Sequence, residues 1–156
     1  MAREGDAMRL FEAPTPWSSE RPQTLVVCCS DGRWHAQVEE FVRAAVSERP
    51  DLYAVPGGPA ALDPWSSSFE QARVLEEAFR LLFRYHDLRS VWLIAHEACA
   101  YYRHKHGHLD EDGLRRRQYE DLDRAARQVL EWHPRLEVRK VFAALERNRV
   151  RFIEVG

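Results

Sequence analysis

The segment Thr24-Leu25-Val26-Val27-Cys28-Cys29 is β-branched and apolar on both faces, the pattern of a strand buried between two layers in a parallel sheet. A chain with such a strand must cover both of its faces. The residues that follow supply the cover. Val38, Phe41, Val42, Ala45 and Val46 recur at helical spacing and stop before Pro50, predicting an amphipathic helix. A short strand over Leu52 to Val55 is broken by Pro56-Gly57-Gly58-Pro59. Ser67 or Ser68, with Gln71 placed for a capping box, then opens a helix whose buried stripe is expected to be Val74, Leu75, Ala78, Leu81, Leu82 and Tyr85.

Ser90 to Ala95 reads as a third strand, followed by a short helix beginning near His96 or Glu97 and a polar loop through Gly107 and Gly113. The spacing predicts a further helix over about 114–132, with Leu122, Ala125, Ala126, Val129 and Leu130 inward, ending at Pro134. A strand over Leu136 to Ala143, a turn at Glu146-Arg147-Asn148-Arg149, and the alternation of Val150, Phe152 and Val155 complete the chain. This order predicts an α/β three-layer sandwich with a mostly parallel sheet, strand order 2-1-3-4-5, and the last strand antiparallel.

With 156 residues, 45% apolar and 31% charged, the chain has the size and composition of one globular domain. Residues 1–22, with Pro14, Pro16 and Pro22, are expected to form a peripheral arm, and 23–156 a single domain. The net charge of −2, and the acidic residues interleaved among Arg115, Arg116, Arg117, Arg124 and Arg127, argue against nucleic acid as a partner and read as a solvated helix face. No apolar run is long enough for a membrane span, and the start of the chain, with Arg3, Glu4 and Asp6, does not resemble a secretory signal. A cytoplasmic location is therefore expected, and the odd set Cys28, Cys29 and Cys99 speaks against a disulfide framework.

Ligand sites in such sheets lie beyond the carboxyl ends of the strands. Cys29 closes the first strand, Gly57 follows the second and His96 follows the third. Cys29, His96 and Cys99 are zinc-type ligands, and a His at i with a Cys at i+3 at the start of a helix brings both to one point. Three protein ligands leave a fourth tetrahedral position for water or one further side chain, with Asp31 two residues beyond Cys29. Cys28, next along the strand, must point to the opposite face, into helix packing.

The pair Cys29-Ser30-Asp31-Gly32-Arg33 and His96-Glu97-Ala98-Cys99 resembles the C-x-D-x-R and H-x-x-C motifs of beta-class carbonic anhydrases. The resemblance implies Zn²⁺ held by Cys29, His96 and Cys99, and an Asp31–Arg33 dyad beside the metal. It implies reversible hydration of carbon dioxide to bicarbonate by a zinc-bound hydroxide, and a homodimer or higher oligomer. A carboxylate beside a divalent cation either ligates it or accepts a hydrogen bond from its water, and a guanidinium partner favours the second. The alternatives are a zinc-binding protein without this activity, with Asp31 as a permanent fourth ligand, and a hydrolase of carbonyl sulfide or carbon disulfide. The sequence departs from the family pattern at Ala100, in place of a glycine, and at Val55-Pro56-Gly57-Gly58.

Other features have simpler readings. His104, His106 and His108 fit a solvated loop better than a second metal site or a proton shuttle. His35, His86 and His133 read as helix-boundary residues. Gly57-Gly58 either turns the chain or admits a ligand to the backbone, and Tyr101 and Tyr102 line a pocket or an interface. A persulfide cradle at Cys28 to Arg33 is unnecessary once Cys29 is a metal ligand.

Overall fold

A computed structural model describes residues 10–46 and 49–156; the first nine residues of the expected arm, and with them Arg3, Glu4 and Asp6, lie outside the described residues. The sheet holds β1 (Thr24–Cys29), β2 (Asp51–Val55), β3 (Ser90–His96), β4 (Glu137–Glu146) and β5 (Arg149–Glu154). Its order is β2-β1-β3-β4-β5, parallel throughout except for the final β4–β5 pair. The helices are α1 (His35–Ala45), α2 (Phe69–Tyr85), α3 (Ala100–Lys105) and α4 (Glu111–Trp132), with a 3-10 segment at Gly58–Leu62.

Alternation along β1 builds the two cores. Leu25 and Val27 join Val91, Leu93, Phe142, Leu75, Phe79, Leu122 and Val129 beneath α2 and α4. Val26 and Cys28 turn the other way, joining Trp34, Val38, Trp92, Ile94 and Val141 beneath α1. Each Val, Leu, Ile or Phe taken fully from water contributes about 1.5–3 kcal/mol. The two-sided apolar strand is thus the physical cause of the three layers.

Several boundaries differ from the expectations. On α2 the buried residues are Ala72, Leu75 and Phe79, whereas Val74, Leu81 and Tyr85 are 54%, 58% and 58% exposed. The helix carries two apolar stripes, and periodicity alone does not say which one meets the sheet; the one bearing Phe79 buries the larger side chain. Leu130 is likewise 38% exposed. Gly113 lies inside α4 rather than in a loop, because Asp110 caps the helix by accepting the Gly113 N–H at 2.8 Å. The expected turn before the last strand is a two-residue hairpin, with Arg147 and Asn148 at φ 45° and 66°, the left-handed pair that matches strand twist.

Among the described residues no helix is long and apolar enough to cross a membrane.

Candidate metal centre

The carboxyl ends of β1 and β3 open on the same edge of the sheet, and each feeds a loop. Cys29 is the last residue of β1 and His96 the last of β3. α3 does not begin at His96 or Glu97, and the two expected ligands share no helical face. Ala98, at φ 54°, reverses the chain so that Cys99 precedes the first turn of α3 and points back toward His96. A non-glycine residue in this conformation costs about 1–3 kcal/mol and needs surroundings that hold it there.

The result is one cluster: the ligating atoms of Cys29, His96 and Cys99 all lie within 4.8 Å of one another. The Cys29 and Cys99 sulfurs are 3.9 Å apart, far beyond a disulfide bond. Two thiolates on one tetrahedral zinc, each at about 2.3 Å, stand roughly 3.8 Å apart. His96 Nδ1 lies 2.7 Å from the Glu97 carbonyl. A carbonyl only accepts, so Nδ1 carries the proton and Nε2 keeps its lone pair. That Nε2 is buried and has no hydrogen-bond partner, an orphan that a metal ion would satisfy. The donor set and its geometry fit Zn²⁺.

The electrostatics favour thiolate at Cys29 and the protonated thiol at Cys99. The Cys29 thiol is pulled down to about 4, first by the hydrogen bond from Cys99, against the opposing effect of burial, and further by His96 and by the backbone at Asp31 and Gly57. Cys99 is pushed above the usual thiol range by the same bond and by burial, although the backbone at Tyr102 and Tyr101 works the other way. Trp34, 7% exposed, lies over the His96 ring with centroids 4.7 Å apart and shuts water from that side.

Asp31 faces Arg33. Arg33 Nε donates to Oδ1 at 3.0 Å and Nη2 to Oδ2 at 2.6 Å, a bidentate pair. That bond holds the Asp31 carboxyl down at about 2. Asp31 is outside the Cys29–His96–Cys99 cluster. Arg33 Nη2 also reaches the Ala98 carbonyl at 3.5 Å, joining the two loops.

Gly57, at φ 79°, does more than turn the chain: a Cβ there would meet the Tyr101 ring at 2.6 Å. At Gly58, φ 54°, a Cβ would meet the backbone of Cys28 and Cys29 at 2.8 Å. The close approach is by the protein's own ring and strand. Tyr101 donates to the Ser66 carbonyl at 3.1 Å and Tyr102 to Asp121 Oδ2 at 2.9 Å. Ala100, exposed, opens α3 without crowding.

Of the remaining histidines, His35 begins α1, His86 and His133 end α2 and α4, and His104 and His108 are exposed. His106 is half-buried beside Tyr102. Among the described residues the Cys29–His96–Cys99 group is the one metal-type cluster.

The basic stretch of α4 is not wholly a solvated face. Arg115 pairs with Glu97 at 2.5 Å and Arg117 with Asp121 at 3.2 Å, and Gln118, 4% exposed, donates to the His96 carbonyl at 2.7 Å. These residues were missed because sign and composition were read along the chain. Their helical spacing beside Leu114 and Leu122 was the available signal.

A parallel α/β sheet with a Cys-His-Cys group at its carboxyl edge defines a class, and comparison with solved structures places the fold. It is that of the beta-carbonic anhydrases. Isoform I from the protozoan Trichomonas vaginalis superposes with TM-score 0.56 at 12% identity, covering 91% of this chain and 88% of that one. One of the two tetrameric beta-carbonic anhydrases of the filamentous ascomycete Sordaria macrospora gives 0.52 at 14%, covering 88% and 84%. The beta-carbonic anhydrase CafA of Aspergillus fumigatus gives 0.51 at 16%, covering 86% and 76%. No family model and no curated protein matches the sequence significantly. At these identities the likeness is one of fold.

Proposed function

We propose that the chain binds Zn²⁺ through Cys29, His96 and Cys99 and catalyses the reversible hydration of carbon dioxide to bicarbonate. The observation that carries this reading is the unpartnered His96 Nε2 aimed at two cysteine sulfurs, with a carboxylate held by a guanidinium on the adjoining loop. Zn²⁺, when bound, supplies the Lewis acidity that makes water a competent nucleophile near neutral pH.

The chain's residues do the rest. Cys29 and Cys99 contribute thiolate charge, and His96, its Nδ1 proton fixed on the Glu97 carbonyl, contributes Nε2. Asp31 accepts a hydrogen bond from the attacking water and so orients its lone pair toward the carbon of carbon dioxide. Arg33 engages both Asp31 oxygens and keeps the carboxylate ionised and turned from the metal position. A carbon–oxygen bond forms, one C=O π pair moves to oxygen, and a proton leaves to solvent, giving bicarbonate. Because two anionic ligands temper the Lewis acidity of the ion, activity is expected to rise into the mildly alkaline range.

The same reading makes residues 1–22 an arm on a single domain spanning 23–156, and the protein a cytoplasmic homodimer or higher oligomer. The described tetramers of Sordaria macrospora support the oligomer, and light scattering tests it.

The test of function is zinc content together with stopped-flow carbon dioxide hydration. The wild type is expected to hold about one zinc per chain and to turn over. Asp31→Ala is expected to keep the zinc and lose about 10²–10⁴-fold in rate. Full zinc with no turnover above buffer contradicts the proposal and leaves a catalytically silent zinc protein.

A further inference from the structure

The face that α4 turns toward the segment after β3 carries polar side chains at helical spacing, two ending on the loop at His96 and Glu97 and two on α3. Glu111 pairs with Arg103. Arg115 Nη2 donates to Glu97 Oε1 at 2.5 Å. Gln118 Nε2 donates to the His96 carbonyl at 2.7 Å, and Asp121 Oδ2 accepts the Tyr102 hydroxyl at 2.9 Å. The last two contacts are deep: Gln118, Asp121 and Tyr102 are 4%, 1% and 2% exposed.

A buried carboxylate is costly unless donors surround it. Asp121 accepts from the Tyr102 hydroxyl and from the Ser66 hydroxyl at 2.7 Å, and the Arg117 guanidinium stands 3.2 Å away as an ion pair. Ser66 in turn contacts Asp63 Oδ2 at 2.8 Å, tying the loop after β2 into the same network. Replacing buried charged groups by apolar residues of similar volume often costs no stability, so what such a network touches bears on its use. Gln118 bonds the carbonyl of the residue whose Nε2 is orphaned, and Tyr102 lies in the first turn of α3, whose backbone at Tyr101 and Tyr102 meets the Cys99 sulfur. Between these two anchors lies Ala98, whose left-handed conformation has to be held.

We propose that α4 is a positioning element for the metal centre, with Gln118 acting through the His96 carbonyl and Asp121 acting through Tyr102 to set where His96 Nε2 and Cys99 Sγ meet. The inference rests on the Zn²⁺ reading of the Cys29–His96–Cys99 cluster. Gln118, Asp121 and Tyr102 are positioning residues: they act on the ligands through the backbone of the loop.

The experiment uses the full chain and measures metal rather than turnover. Zinc affinity is read by competition with a chromophoric chelator, and Co²⁺ substitution reports ligand geometry through its d–d and sulfur-to-cobalt bands. Tyr102→Phe keeps the ring and Asp121→Asn keeps the volume, so each carries the test if the other fails to fold. Both are expected to weaken zinc binding by about 10- to 100-fold and to shift the cobalt bands. Tyr119→Phe, on the same helix but packed edge-on against Phe142, is expected to change neither. Variants of Tyr102 and Asp121 with wild-type affinity and wild-type cobalt bands overturn the inference while leaving the metal centre intact. A folded wild type that takes up neither zinc nor cobalt overturns the metal-centre reading and the inference with it.

Discussion

The two loops that bring the proposed ligands together are held to different degrees by the rest of the fold. The loop from Cys29 to Trp34 is secured partly by itself, with Trp34 N–H donating to the Asp31 carbonyl at 3.1 Å and Arg33 N–H to Asp31 Oδ1 at 3.1 Å, and partly at its ends, where Ser30 N–H donates to the Val55 carbonyl at 3.0 Å and Trp34 is buried beneath α1. The loop after His96, with the start of α3, is secured by its neighbours. Ala143 O accepts the Glu97 N–H at 2.9 Å, Glu97 Oε2 accepts the Leu145 N–H at 2.7 Å, and α4 adds the contacts from Arg115, Gln118 and Asp121. One loop carries the carboxylate to which chemistry is assigned, under an Arg33 side chain that is 67% exposed. The other carries two of the proposed ligands and is clamped into the fold. The difference teaches that a cluster can be clamped chiefly from one side while the carboxylate assigned to its chemistry comes from the other.

The largest effect expected from this contrast separates binding from turnover. His96→Ala or Cys99→Ser, on the clamped loop, is expected to remove most of the bound zinc, read by elemental analysis of the folded protein. Arg33→Ala, on the exposed loop, is expected to keep the zinc and to lower carbon dioxide hydration by about 10- to 100-fold. Comparable zinc loss in Arg33→Ala would erase the contrast.

Next in size is a change in the glycine pair that supports both loops. Gly58→Ala places a Cβ 2.8 Å from the backbone of Cys28 and Cys29 at φ 54°. Neither the strand nor the left-handed backbone yields easily, so a loss of about 1–3 kcal/mol is expected in urea unfolding. A neutral result would show that β1 moves aside, and the first loop would then be softer than described.

How much of this was legible in the sequence depends on the distance over which the cause acts. The two-sided apolar run at Thr24–Cys29 specifies the buried strand locally, and the alternation of Val150, Phe152 and Val155 after the turn at Glu146–Arg149 marks the antiparallel end. Cys29 and His96 were placed at strand ends by the same logic. The route to Cys99 was not visible, since Ala98 carries no mark of the positive φ that aims the sulfur. The expected α2 stripe was right at Leu75 and Leu82 and wrong at Val74, Leu81 and Tyr85, which repeat as regularly, so that only the packed sheet chooses between them. Gln118 and Asp121 look like surface residues until β3 and α3 are laid beside α4.

The smallest effect sharpens the contrast through pH. His106 ends α3 on the clamped side, and burial, then the Arg117 charge, lowers its pKa below the ordinary 6.5, with Lys105 and His108 acting in the same direction and Asp121 opposing. The unfolded chain therefore binds this proton more readily than the folded one. The contribution to stability is complete above pH 6.5 and is lost as pH falls below it. The urea midpoint is expected to drop between pH 7.5 and 5.5 in the wild type and to drop less in His106→Gln, whereas equal drops would remove His106 from the account.

Everything rests on sulfur and imidazole converging on one ion, and zinc K-edge X-ray absorption of the purified wild type reads that directly. The account predicts a first shell with two sulfurs at about 2.3 Å and nitrogen or oxygen at about 2.0 Å. A zinc shell without sulfur, or a folded protein that retains no zinc when it is supplied, would contradict it.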